Sequence, residues 1–118
     1  MIRAFAVLWA ACLLAALAIA APAWAGAPRT VPTFESIGVY WPLASQSEQG
    51  DCAIAFRPEG EDAWRDGLPL WFDRDASECR GSIIGLRPGT TYELKLSRAG
   101  ETETLEARTW SESFPVGR

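Results

Sequence analysis

Between Tyr92 and Ser97 the chain alternates without a break: Tyr92, Leu94 and Leu96 fall on one side, Glu93, Lys95 and Ser97 on the other. A period of two marks a half-buried β-strand, because successive side chains of an extended chain point to opposite faces. The pattern recurs in "SIGVYWP", where Ile37, Val39 and Trp41 oppose Gly38 and Tyr40, and in "CAIAFR", where Cys52, Ile54 and Phe56 share a face. It returns in "TETLEARTW", where Leu105, Ala107 and Thr109 oppose Thr104, Glu106 and Arg108. "CRGSIIGL" resumes β character through Cys79, Ile83, Ile84 and Leu86. "AWRDGLPLWF" is a short, irregular strand region that Gly67 and Pro69 assign to a sheet edge. Trp41, Ile54, Phe56 and Leu94 are the predicted core.

Turn chemistry separates these runs: "PEGED", "DRDASE", "RPGT" and "RAGE" carry the glycine, proline and acidic residues that reversals require. Six short β runs with no helical period beyond residue 25 predict an all-β antiparallel sandwich or barrel. "GAPRTVP", residues 26–32, has two prolines and no periodicity and reads as a leader segment, and "SESFPVGR", 111–118, loses the alternation and reads as a linker or tail.

The first 25 residues stand apart. Arg3 supplies a positive start, Phe5 to Ala21 an apolar run, and Ala23-Trp24-Ala25 a small-x-small site, the three parts of a secretory signal peptide with cleavage after Ala25. An uncharged run of that length also suits a membrane anchor, since about 20 apolar residues span a bilayer. Pro22 and the Ala-x-Ala site favour removal. Localisation is then secreted or periplasmic, with no membrane contact after removal. What remains is 118 − 25 = 93 residues, one modest domain. Two cysteines remain in it, Cys52 and Cys79, and an even number in an exported chain favours a disulfide, here closing 79 − 52 = 27 residues.

Net charge is −4, and −5 once Arg3 is removed, and a mildly acidic surface argues against nucleic acid and anionic membranes as partners, because both need a basic patch. The chain contains no histidine, which excludes a serine-histidine-acid triad and a histidine zinc site. One lysine stands against ten arginines, and alanine is abundant, a composition common in GC-rich bacterial genomes.

The order of the pieces is more specific than any one of them. A strand ending in Trp41, the run "CAIAFRP", and Leu86-Arg87-Pro88-Gly89-Thr90-Thr91-Tyr92 together resemble the fibronectin type III domain, with Leu86, Pro88, Gly89 and Tyr92 matching its corner. The resemblance covers residues 33–110 and implies an immunoglobulin-like antiparallel sandwich whose tyrosine holds the corner between two strands with its hydroxyl. Too few residues separate Pro32 from Trp41 for a full first strand, so strand A is short or missing. In the implied topology Cys52 and Cys79 begin strands C and E at one end, on opposite sheets, so a bridge between them would link the sheets. "WRDGLPLWFDRD" and "ARTWSESFPVG" are similar to modules at the front of secreted bacterial proteins whose next domain is a right-handed parallel β-helix. That likeness implies a non-catalytic, monomeric spacer or docking domain of a carbohydrate-related extracellular protein.

Trp71, Phe72 and Asp73 are the candidate ligand contacts, with Trp64 nearby, since flat rings stack on the apolar faces of sugars; core packing is the competing role for such tryptophans. The partner is then a polysaccharide or another protein. Asp73, Asp75 and Glu78 offer oxygen donors to calcium but lack the glycine and full ligand set of a calcium loop, so solvated loop charges outweigh a metal. No cofactor and no catalytic residue is expected.

Overall fold

In the computed structural model, residues 26–43, 52–115 and 117 are described; the signal peptide expected over residues 1–25 and the polar loop expected from Ala44 to Gly50 lie outside them. The described residues form eight strands: β1 Arg29–Pro32, β2 Ser36–Pro42, β3 Ala53–Pro58, β4 Arg65–Asp66, β5 Trp71–Asp73, β6 Glu78–Ile84, β7 Thr91–Arg98 and β8 Glu101–Arg108. They make two antiparallel sheets, ordered β1-β2-β6-β5 and β4-β3-β7-β8. This is an immunoglobulin-like sandwich, in which the orders correspond to strands A-B-E-D and C′-C-F-G.

Alternation sets which faces meet. β2 and β7 bury every second residue along their length. Ile37, Val39, Trp41, Ile54, Leu94 and Leu96 are buried between the sheets, and Phe56 is half-buried against them. The outward positions of β7, Glu93 and Lys95, remain partly exposed on the opposite face.

The segment expected to be a leader contains the first strand. Arg29–Pro32 pairs with β2, from Arg29 opposite Tyr40 to Pro32 opposite Ile37. Strand A is thus present and four residues long. No periodicity announced it because an edge strand of this length buries too little to need an alternating face.

The run "AWRDGLPLWF" divides between the sheets. Arg65 and Asp66 pair with Phe56 and Ala55 of β3, whereas Trp71 to Asp73 pair with Arg80 to Glu78 of β6. Along the crossing, the Gly67 N–H donates to the Ile54 carbonyl at 2.9 Å and the Leu70 N–H to the Cys52 carbonyl at 2.8 Å. Two glycines make the passage possible. A Cβ on Gly67 would lie 2.9 Å from the Ile54 side chain and 3.1 Å from that of Ile83, and one on Gly81 would lie 2.8 Å from a Leu70 methyl. Leu70 is buried, so its methyl has little room to yield. Gly81→Ala is therefore expected to cost about 1 to 3 kcal/mol by overpacking, measured as a lower urea midpoint at unchanged m-value.

Cys52, just before β3, and Cys79, on β6, form a disulfide that ties one sheet to the other, with Cα atoms 6.2 Å apart. Both are fully buried.

Candidate functional site

The corner after β6 is built on Arg87. Its N–H donates to the Tyr92 hydroxyl at 2.9 Å, and its carbonyl accepts from the Thr109 hydroxyl at 2.6 Å. The Thr90 N–H donates to that same threonine oxygen at 3.0 Å. Gly89, at φ 59°, supplies the left-handed residue of the turn. Leu86 is buried, Pro88 precedes the turn, and the Tyr92 ring meets Phe56 edge-on at 6.3 Å. The phenol is therefore occupied as a hydrogen-bond acceptor. Thr109, 1% exposed, completes the clamp; alternation placed it on the inner face but gave no sign of its hydroxyl's role.

Beside this corner, the open side of the sandwich between β4 and the second half of β6 holds a cavity of about 430 Å³, lined in part by Phe56, Arg65, Ile84, Arg87 and Tyr92. Glu61 and Arg87 pair across its mouth at 3.5 Å.

The aromatic residues around β4 and β5 do not form one platform. Trp64 stacks on Arg57 at 4.2 Å and on Lys95 at 4.5 Å, which puts it on the outer face of the second sheet. Trp71 lies on the outer face of the first sheet and is 65% exposed. Phe72, its chain neighbour, turns inward against the core and carries the Arg98 guanidinium over its ring at 4.2 Å. The division of the run between two sheets separates Trp64 from Trp71, and strand alternation separates Phe72 from Trp71.

Asp73 shares the outer face with Trp71 and is held on both sides. One oxygen accepts the N–H groups of Asp75 at 3.0 Å and Ala76 at 3.3 Å, and the other pairs with Arg80. Arg80 also lies 3.8 Å from Glu78. Its bonds to Arg80 and the turn account for both oxygens of Asp73, and no group of three or more metal donors occurs among the described residues.

Register extends this face across the sheet. Arg29 of β1 stands opposite Tyr40 of β2, Tyr40 opposite Arg80 of β6, and Arg80 opposite Trp71 of β5. The Arg29 guanidinium sits 3.9 Å from the Tyr40 ring centre and that of Arg80 5.8 Å from the Trp71 ring centre. Cation and aromatic thus alternate from one sheet edge to the other. Sequence reasoning reached Trp71 and Asp73 but not Arg29, Tyr40 or Arg80, because only the pairing of distant strands brings them into line.

A second exposed aromatic group lies where the chain leaves β8. Phe34 packs edge-on against Trp110 at 5.3 Å and against Phe114 at 5.8 Å. Trp110 is 53% and Phe114 67% exposed.

No known family model matches the chain, and no curated protein matches it. Among solved structures it is similar to the sensor domain of the anti-sigma factor RsgI4 of Pseudobacteroides cellulosolvens, at 14% identity and a TM-score of 0.42, over 70% of this chain and 94% of that one.

Proposed function

We propose that this chain is a non-catalytic, exported module of the fibronectin type III type, serving as a spacer and docking domain at the front of a larger, carbohydrate-related extracellular protein. The observation that carries this proposal is the Phe34–Trp110–Phe114 cluster. Two of its rings, Trp110 and Phe114, are more than half exposed at the point where the last strand runs out, over a half-buried Phe34, and offer a neighbouring domain an apolar seat. The clamp on Tyr92, at the motif that carries the resemblance, supports the fibronectin type III assignment, and the order of the two sheets supports the immunoglobulin-like sandwich it implies. Export is supported by the Cys52–Cys79 bridge, since such bridges persist in oxidising compartments. Lack of histidine throughout the chain supports a non-catalytic role.

An antiserum against the sandwich tests the docking role in the source cell. The expected result is an exported species larger than the 118-residue chain, in which Trp110→Ala with Phe114→Ala increases proteolytic cleavage just beyond the sandwich. A single exported species the size of one domain would reject it. A second role, glycan binding, is favoured by a different observation, the exposure of Trp71.

A further inference from the structure

We propose that the outer face of the first sheet is a binding platform for an extended, neutral polysaccharide chain, lying across the strands beside the Arg29–Tyr40–Arg80–Trp71 row. This is a function separate from docking at the Trp110 end.

The first argument is a glycine that the fold does not require. Gly38 lies in the middle of β2, where glycine weakens a strand by about 0.5 to 1 kcal/mol relative to alanine. Gly67 and Gly81 are forced by contacts at or below 3.1 Å, but a Cβ on Gly38 would meet its nearest neighbour, the Val31 carbonyl oxygen, at 3.5 Å, an ordinary contact. Its backbone is not left-handed either. Neither packing nor conformation calls for glycine at 38. A strand glycine often stands where the strand bulges or bends, or where a ligand or another backbone approaches closely, and close approach of a ligand is the cause that fits an exposed sheet face.

Its surroundings form the site. Gly38 stands opposite Val31 on one side and Ser82 on the other. This row, with glycine and serine in its two central strands, is low, and it runs through β1, β2 and β6 beside the taller row of Arg29, Tyr40 and Arg80 two residues along each of those strands, with Trp71 extending the taller row into β5. The result is a shallow trough across the sheet with an aromatic and guanidinium wall.

The wall fits a sugar chain. Tyr40 and Trp71 are two strand spacings apart, about 10 Å, comparable to the two-unit repeat of an extended β-1,4-linked glycan. Trp71 presents a ring for stacking on a pyranose face. Arg80, held by Asp73 and Glu78, and Arg29, held on Tyr40, present fixed N–H donors for hydroxyl groups. Charge selects the class of glycan: Arg29 and Arg80 are balanced by Asp73 and Glu78, and the whole chain carries −4, which disfavours a polyanion.

Isothermal titration of the purified chain with cellohexaose and xylohexaose, with hexagalacturonate in parallel, tests the proposal. Saturable binding of at least one neutral hexasaccharide is expected, with hexagalacturonate at least tenfold weaker. Trp71→Ala and Gly38→Val should each weaken binding tenfold or more, while Trp110→Ala leaves it unchanged. Thermal melting checks that Gly38→Val folds, and should place Gly38→Ala at or above the parent chain, since alanine suits a strand better than glycine and the Cβ has room. Absence of heat with both neutral sugars, tighter binding of hexagalacturonate, or binding that both Trp71→Ala and Gly38→Val leave intact would each overturn it.

Discussion

Replacing Cys52 and Cys79 together by alanine is expected to destabilise the sandwich by about 3 to 4 kcal/mol, the loop-closure value for a 27-residue separation. For a domain of this size that lowers the melting temperature by roughly 12 to 25 °C. The effect is large because each sheet has only four strands, and β4 and β5 contribute two and three residues. The bridge joins the sheets where the chain changes from one to the other, beside the Cys52–Leu70 contact. Removing two fully buried sulfurs also loses packing, so the disulfide value is a lower bound on the double variant. Thermal melts of the oxidised chain, the reduced chain and the double variant check this. The reduced chain should melt above the double variant, because its thiols still fill the core. A shift of only a few degrees would show that the unfolded chain is already compact around this segment.

How much of this was readable before folding depends on how locally each feature is encoded. The alternation from Tyr92 to Ser97 is legible because one face of β7 is buried along its whole length. Trp41, Ile54 and Leu94 lie in the core for the same reason. The four residues of β1 are not legible, since its two half-buried positions, Thr30 and Pro32, are a threonine and a proline and make no apolar alternation. The division of "AWRDGLPLWF" was hidden because it is decided by contacts between distant residues, Gly67 with Ile54 and Ile83, and Gly81 with Leu70. Of the proposed platform, Trp71 could be singled out as an aromatic at an edge, and Asp73 as its companion. The other members are set by register: Arg29 and Trp71 lie at opposite edges of the sheet and meet in one row only through β2 and β6. The same pairing gives Gly38 its meaning, because a glycine in a strand becomes informative only when the space above it is known.

Tyr92→Phe is expected to cost about 1 to 3 kcal/mol, the penalty for leaving the Arg87 N–H without its acceptor in a partly buried corner. Tyr92→Ala removes the ring from its contact with Phe56 as well and should cost about 3 to 5 kcal/mol. The difference between the two separates the hydroxyl from the packing. Thr109→Val provides the complementary cut. It keeps the side-chain volume but removes the oxygen that donates to the Arg87 carbonyl and accepts from the Thr90 N–H, again at about 1 to 3 kcal/mol. Because the tyrosine and the threonine hold the N–H and the carbonyl of the same residue, either loss frees Arg87 to move and weakens the other bond. The Tyr92→Phe, Thr109→Val double variant should therefore cost less than the sum of the singles, by about 0.5 kcal/mol or more. Equilibrium urea unfolding of the four proteins measures that coupling. Strict additivity would mean that the two hydroxyls anchor the corner independently, and that Arg87 is held by the flanking backbone bonds, Leu86 N–H to Glu35 and Gly89 N–H to Trp110.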